Sequence, residues 1–352
     1  MNLLNQLFKI TIHIFFVIIF LFFSTLQAKN FDRFNNGDKI SNYFSGIILL
    51  NDEKYEESYK FLKKLDGLED SHKTYSIKYL YSLVNSGNLN QAFQYSKKIE
   101  RVNHGTFETD LIIGIYNLKK NKSQLATKYF LKASNRTSLS VLDNYISNSL
   151  YIWSQMDGLK IENINPLLNR LDKRFENLKK IQKVFLNCFF NSSETNIEFE
   201  NLVSNEKTDF SRYNYFYANY LKNTGKVQGA KSIIQNSLKK YPRNLLLNQY
   251  KIDLEKSENS LIFNCNKKEH IIAEILYISA NALSSQSIFQ SSNFYLNLAK
   301  FLNSSFYTFD TLLAENLYKN ENYSDAIKIY EKIKNHGEAF QWYSNKQISR
   351  IM

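Results

Sequence analysis

The chain has very little glycine and proline, ten and two in 352 residues, whereas average proteins use about 7% glycine and 5% proline. A β-sandwich or a β-propeller needs turn residues between successive strands, so this scarcity excludes both classes. No two glycines are separated by two or by five positions, which excludes the glycine-rich phosphate loops of dinucleotide-binding and P-loop proteins. With 43% hydrophobic and 22% charged residues, the composition predicts an all-α protein.

The first 28 residues have the layout of a secretory signal peptide. Lys9 is the one charged residue before Lys29, and an apolar run follows it at 10–23. A small residue, Ala28, stands at the end of the segment, as such signals require. The run is shorter than the roughly 20 residues that span a bilayer. We predict export to the periplasm or cell envelope with cleavage after Ala28; the alternative is an uncleaved anchor in the inner membrane.

The net positive charge is evidence about binding partners and not about the fold. The chain carries 45 Lys and Arg against 33 Asp and Glu, a net charge of +12, and removal of 1–28 takes away one lysine and leaves +11. An exported protein rarely meets nucleic acid, so we expect no nucleic-acid partner. We expect membrane contact only through the N-terminal segment, if that segment is not cleaved.

Small residues recur every 34 positions along the chain. Ser58, Ala92 and Ala126 form one such series, and Ser292 and Ala326 repeat the interval near the C-terminus. A second series stands twelve residues earlier in each unit, at Gly46, Leu80, Gly114, Ala280 and Ala314, and the pair Ala218 and Ala230 keeps the same offset. Small side chains are needed where two helices cross, because larger ones push the helices apart.

This pattern resembles the tetratricopeptide repeat, a helix–turn–helix unit of 34 residues. The resemblance is carried by Gly46-(x)8-Tyr55-x-x-Ser58, Gly87-x-Leu89-x-x-Ala92, Ala126-x-x-x-Phe130-x-x-Ala133 and Asn322-Tyr323-Ser324-Asp325-Ala326-(x)3-Tyr330. It implies an all-α fold, an α-solenoid in which antiparallel helix pairs form a right-handed superhelix. In this family the first helices of the units line a concave groove that binds extended peptides.

The register divides the chain into segments. Repeat units are expected at 39–72, 73–106, 107–140, 211–244, 273–306 and 307–340. The predicted organisation is a signal peptide at 1–28, repeats at 29–140, degenerate helical repeats at 141–210, a repeat at 211–244, a helix and connector at 245–272, repeats at 273–340, and an incomplete repeat or cap helix at 341–352. For the last segment we favour a truncated longer protein over a tail that packs back as a cap.

Nothing in the sequence predicts catalysis, a metal site or a cofactor. The histidines are scattered without metal-ligand spacing, and His270 and Glu274, four residues apart, are typical of a solvated helix start. Cys188 and Cys265 lie 77 residues apart; an oxidising compartment permits a disulfide. Repeat arrays rarely bring distant segments together, so we favour a free core thiol at Cys188.

Two surfaces are candidates for binding. The resemblance places the concave groove on the first helices, where it would present Tyr43, Phe44, Ile77, Lys78, Tyr81, Ile115, Tyr215, Phe216, Asn219, Tyr277 and Asn281. Several of these residues are equally expected to pack between neighbouring helices. Residues 160–183 hold seven basic and three acidic side chains, which favours a solvated face of paired charges over a site for an anionic surface.

We therefore predict a non-enzymatic, exported scaffold that binds an extended or apolar segment of a partner protein in the concave groove. The first alternative is an assembly subunit that binds an anionic envelope polymer, polysaccharide or peptidoglycan, through its basic surface. The second is an enzyme with a helical shell. Salt dependence distinguishes the protein-binding scaffold from the polymer-binding subunit, since a charge-driven contact weakens steeply with ionic strength.

Overall fold

The structure, a computed structural model, describes residues 37–137, 139–205, 208–256 and 262–352. The predicted signal peptide, residues 1–28, lies outside the described residues. The described ranges hold eighteen α-helices and short 3₁₀ turns, without a strand. The helices are α1 (Gly37–Asn51), α2 (Tyr55–Leu62), α3 (Lys73–Asn85), α4 (Leu89–Arg101), α5 (Phe107–Lys119), α6 (Ser123–Ser134), α7 (Val141–Ser154), α8 (Ile161–Asn169), α9 (Glu176–Phe189), α10 (Thr195–Val203), α11 (Tyr213–Asn223), α12 (Val227–Lys240), α13 (Leu245–Glu255), α14 (Lys268–Ser285), α15 (Phe289–Leu302), α16 (Thr308–Lys319), α17 (Tyr323–Ile333) and α18 (Glu338–Ile351). None of these helices combines the length and the apolar character that crossing a bilayer requires.

Six helix pairs share one turn of three residues, in which the middle residue has left-handed backbone. The middle residues are Glu53, Gly87, Asn121, Gly225, Ser287 and Glu321, with φ between 57° and 80°. The N–H of the third turn residue donates to a carbonyl five residues earlier, as Lys54 does to Leu49 at 2.8 Å. This arrangement satisfies carbonyls at the helix end that have no partner within the helix. It reverses the chain and makes the two helices of a unit antiparallel.

The small residues of the predicted register lie where paired helices meet. The Ser58 hydroxyl donates to the Gly46 carbonyl at 2.7 Å, and Ser292 makes the equivalent bond to Ala280 at 2.8 Å. A Cβ added to Gly114 would stand 2.4 Å from the Phe130 ring, so any side chain here would force the ring to shift. The fold is therefore the predicted α-solenoid of helix pairs.

Residues 141–205 form two further pairs, α7 with α8 and α9 with α10. A buried polar network joins the first helices of these two pairs, α7 and α9. The Trp153 indole donates to the Gln182 carbonyl oxygen at 2.9 Å, and the Gln182 amide donates to Tyr145 and Ser149 at 2.8 and 2.9 Å. The network therefore links one pair to the next.

The C-terminal third departs from the predicted boundaries at two points, since α18 begins at Glu338 and not at 341. The unit expected to begin at 273 begins at Lys268, because α14 has eighteen residues and is the longest described helix. The last helix, α18, packs against α17 and against α13. The backbone N–H of Ala339 donates to the Gln249 side chain at 3.0 Å, which fixes the start of α18 on α13.

The array closes on itself, because the pair α14 and α15 packs against helices of the first half of the chain. Helix α15 contacts α3 and α5, and α14 contacts α7. The Tyr295 hydroxyl donates to Asp143 at 2.7 Å, and the Lys268 ammonium contacts Ser123 at 2.9 Å. The solenoid is therefore a closed array in which both ends share one core.

The two cysteines are paired, in contrast to the prediction from the sequence. Cys188, at the end of α9, and Cys265, in the connector before α14, form a disulfide with Cα atoms 5.9 Å apart. The Asn266 amide donates to the Phe189 carbonyl at 3.3 Å beside it. The free core thiol favoured from the sequence is wrong, because the chain folds back and brings the connector onto α9.

Candidate functional site

The concave side of the N-terminal units is covered by the chain itself. The Phe294 ring on α15 stacks on Tyr81 with centroids 4.6 Å apart, and Phe301 stacks on Tyr116 at 6.0 Å. Tyr81 is a predicted groove residue. In this structure it packs on the chain's own helix, so it is not presented to a partner in the closed array.

Polar contacts also join α15 to α3 and to α1 of the first unit. The Lys78 ammonium donates to the Gln290 side chain at 3.3 Å, and the Asn85 amide donates to the Gln290 carbonyl at 3.2 Å. The Gln290 amide in turn donates to the Leu50 carbonyl at 3.2 Å. Lys78, another predicted groove residue, therefore contributes to closure.

A buried carboxyl group lies at the centre of the closing contact. The Asn293 amide donates to Glu53 at 3.1 Å and to the Tyr55 hydroxyl at 2.8 Å, and Asn322 donates to the Glu53 carbonyl at 3.2 Å. Glu53 is 1% exposed. Burial raises the pKa of its side chain to about 8, partly offset by the hydrogen bond from Asn293. The carboxyl group is therefore largely protonated at neutral pH.

The predicted groove residues on α11 belong to the core. Tyr215 and Phe216 are fully buried, and the Tyr215 ring lies 4.9 Å from Tyr250 in an edge contact. Asn219 is buried as well, and its amide donates to the Phe263 carbonyl at 3.1 Å. The expectation that these side chains face an open groove does not match this structure, because α13, the connector at Phe263 and the loop at Phe306 pack over them.

Tyr277 takes part in a buried ion pair. The Arg212 guanidinium lies 3.8 Å from its ring centroid and binds both carboxylate oxygens of Glu274, at 2.7 and 2.8 Å. Arg212 also donates to the Thr308 hydroxyl at 3.2 Å, so it joins α11, α14 and α16. Burial raises the pKa of Glu274 and the Arg212 charge lowers it, with burial the larger effect. Asn281, one turn beyond Tyr277, is exposed.

Helix α1 presents the accessible end of the predicted groove. Of the predicted groove residues on the first three units, Ile115 is buried and Tyr43 and Ile77 are half-buried. Phe44 on α1 is 59% exposed. Ile40 and Ile48, one turn either side of Phe44, are 49% and 58% exposed. We call Ile40, Phe44 and Ile48 the α1 stripe.

Ile40 and Ile48 are not among the residues predicted from the sequence. Their spacing of four with Phe44 is the signal that could have found them. The same spacing is also typical of core residues on a helix, and only the packing shows which face is left exposed. The opposite face of α1 packs on α2 through Gly46 and Leu50, which are buried.

The basic stretch 160–183 borders a groove between α8, α9 and α10. The groove has a volume of about 780 Å³, and Lys179, Lys180 and Lys183 line it. Lys179 pairs with Glu176 at 3.0 Å and Lys183 with Glu198 at 2.6 Å. These pairs reduce the net charge that the groove offers. Its amide lining consists of Asn165, Asn169, Asn201 and Asn205.

In the described part of the chain, no three His, Cys, Asp or Glu side chains are grouped as a metal site requires. His270 accepts a hydrogen bond from the Asn264 backbone at 3.1 Å. Burial lowers the pKa of His270 to about 4, helped by the nearby charges of Lys267 and Lys119. Since Glu274 binds Arg212, the spacing of His270 and Glu274 does not create an acid–base pair.

No family model matches the chain, and no curated protein matches it. Among solved structures it is similar to "Structure of Naa15/Naa10 bound to HypK-THB", with 12% identity and a TM-score of 0.25 over 89% of this chain and 60% of that one. It is also similar to "Human IFIT1 dimer with PPP-AAAA", with 18% identity and a TM-score of 0.25 over 79% and 64%. The chain therefore spans less than two thirds of either protein, and the fold class rests on the helix pairs described above.

Proposed function

We propose that the protein is an exported scaffold of the cell envelope that binds another protein through the α1 stripe. The exposure of three large apolar side chains, one helical turn apart, carries the proposal. A row at positions i, i+4 and i+8 matches the apolar face of a partner helix. Burial of such side chains contributes about 1.5–3 kcal/mol each, which offsets the entropic cost of association.

Two observations support export. The N-terminal segment has the layout of a signal peptide, and disulfides such as Cys188–Cys265 persist in oxidising compartments such as the periplasm. The purified mature protein is expected to begin with Lys29, and thiol titration of the unfolded, unreduced protein is expected to find no free thiol. Intact Met1 in the membrane fraction would favour the uncleaved anchor.

The function is tested by capture from envelope extract, with the mature chain as bait. The variant Phe44→Ser with Ile48→Ser removes most of the α1 stripe from an exposed surface, so the fold is expected to be unaffected. We expect capture of the bound protein to fall at least tenfold, about 1.4 kcal/mol.

The matched control is Leu125→Ser with Ile197→Ser, two exposed apolar residues on other helices, at 44% and 60% exposure. Capture by this variant is expected to equal that of the parent. Equal loss in both variants would show nonspecific adsorption, and no loss in either would place the partner surface elsewhere.

A second candidate function is binding of an anionic envelope polymer in the groove between α8, α9 and α10. The three lysines and four amides of its lining favour this candidate, although two of the lysines are already paired. Lys180→Ala with Lys183→Ala would abolish such binding, and the affinity of the parent would fall steeply with added salt. Binding through the α1 stripe would change little with salt.

A further inference from the structure

A second groove lies at the other end of the chain, between α13 and α18. It has a volume of about 920 Å³, and we call it the C-terminal groove. Its lining consists of Pro242, Arg243, Leu245, Asn248 and Ile252 on one side and Glu338, Ala339, Trp342, Tyr343, Lys346, Gln347 and Arg350 on the other. None of the predicted groove residues lines it.

The floor of the C-terminal groove is apolar and carries an exposed aromatic side chain. Leu245 and Tyr343 are half-buried against the core, and the Trp342 side chain is 65% exposed beside them. Exposed tryptophan is rare on protein surfaces but is enriched among the residues that dominate binding energy at interfaces. A floor of this kind favours apolar side chains in the occupant.

The rim of the groove is positively charged. Arg243, Lys346 and Arg350 surround the floor, and the Lys346 ammonium lies 4.9 Å from the Trp342 ring centroid. The single carboxylate of the lining, Glu338, is bound to Lys256 at 2.6 Å. The charge of the rim is therefore complementary to an acidic partner.

The groove is also held in place before binding. The Tyr343 hydroxyl donates to Glu315 at 2.5 Å, and the start of α18 is bonded to Gln249 on α13. The Gln249 amide donates to Asp253 at 2.7 Å within the same buried contact. A preformed groove orders few groups on binding, which lowers the entropic cost of association.

We infer that the C-terminal groove takes an acidic amphipathic helix of a partner protein, with its apolar side chains on Trp342 and its carboxylates on Arg243, Lys346 and Arg350. The inference rests on the proposed scaffold function and names the chemistry of one partner. Two helices side by side offer the groove that a third helix fills with side chains at i, i+3, i+4 and i+7. An anionic polysaccharide would use the rim but leave the apolar floor uncovered.

Tryptophan fluorescence provides a direct test, because Trp153 is fully buried whereas Trp342 is exposed. The probe is a synthetic peptide of roughly 18 residues, about five helical turns, with leucine at i, i+3, i+4 and i+7 and glutamate elsewhere. We expect it to protect Trp342 from acrylamide quenching, and we expect the same peptide with lysine in place of glutamate to protect it at least tenfold more weakly.

Three variants of the mature chain sharpen the test, with a fluorescently labelled glutamate peptide and anisotropy as the readout. Trp342→Ala, and separately Arg243→Ala with Lys346→Ala, are expected to weaken binding at least tenfold. The double alanine variant is also expected to bind with a shallower salt dependence. The control Lys128→Ala with Lys319→Ala removes two exposed lysines on other helices and is expected to bind like the parent.

The outcomes separate this inference from the proposed function. Equal binding of both peptides, or unchanged binding by Trp342→Ala in protein with native circular dichroism, would overturn the inference and leave capture through the α1 stripe intact. Protection of Trp342 by polygalacturonate but not by the glutamate peptide would overturn it in favour of a polysaccharide. The α1 stripe variant is expected to bind the glutamate peptide like the parent, even where it loses envelope capture.

Discussion

At the scale of single residues, the burial of Glu53 links the stability of the closed array to pH. Its carboxyl group lies between the first unit and the C-terminal units, where Asn293 donates to it and Asn322 donates to the backbone carbonyl of the same residue. The protonated form is favoured because an ionised carboxylate would lose its hydration there. The pKa is about 8 in the folded protein against 4.5 for the ordinary group. Folding therefore takes up a proton between these two values.

The stability contributed by protonated Glu53 is fully present below pH 4.5 and is lost as pH rises toward 8. We expect Glu53→Gln, which stays neutral and can keep the hydrogen bonds, to remove this loss. Between pH 5 and pH 8 the parent should lose about 2–4 kcal/mol more unfolding free energy than the variant. Urea unfolding at both pH values measures the difference, and parallel pH profiles for the two proteins would contradict the assigned protonation.

At the scale of elements, each repeat depends on a backbone conformation at one position of its turn. Four of the six middle residues are not glycine, although left-handed backbone costs other residues about 1–2 kcal/mol. The Schellman-type hydrogen bonds at these turns offset that cost. A Cβ added at Gly87 would meet no atom within 4 Å, so backbone conformation alone decides what is tolerated there.

We expect Gly87→Ala to destabilise the protein by about 1 kcal/mol. Gly87→Asn should cost less, because asparagine adopts left-handed backbone more readily and already occupies the equivalent position as Asn121. Thermal unfolding of the two variants beside the parent gives the comparison. An alanine variant as stable as the parent would show that the turn adapts.

The crossing of paired helices sets a second requirement on each unit. Ala126 and Ala326 are completely buried between the helices of their pairs, so Ala126→Leu and Ala326→Leu force extra volume into a packed contact. We expect each to cost about 1–3 kcal/mol of unfolding free energy. Leu125→Ser, at the exposed neighbouring position, should change stability by less than about 0.5 kcal/mol. Unchanged melting of the leucine variants would refute the repeat register.

At the scale of the whole molecule, closure depends on contacts between residues far apart in sequence. The stacked pair Tyr81 and Phe294 joins α3 to α15, and its partners lie in separate units. We expect a double-mutant cycle of Tyr81→Ala and Phe294→Ala to give a coupling energy of about 0.5–1.5 kcal/mol. Urea unfolding measures the four proteins, and additive effects would show that the two rings do not interact.

The repeat fold could be predicted from the sequence because its contacts are local. Gly46 with Ser58 and Ala280 with Ser292 are twelve residues apart, and that interval recurs along the chain. The contact of Tyr81 with Phe294 has no such interval, and the same aromatic pattern is typical of a groove and of a core. For this reason the sequence did not predict that α15 covers Tyr81. The disulfide was missed for the same reason, since it depends on closure.

The disulfide between Cys188 and Cys265 makes the segment between them a covalent ring. When the protein is stretched from its two termini, the force bypasses this ring, and the chain of 77 residue steps from one cysteine to the other adds no length to the extended chain. At about 3.3–3.6 Å per residue, roughly 250–280 Å of contour length stays hidden. A reducing agent would release this length as a single additional extension in a force spectroscopy trace, and helices α10 to α13 inside the ring would unfold under load only after that release.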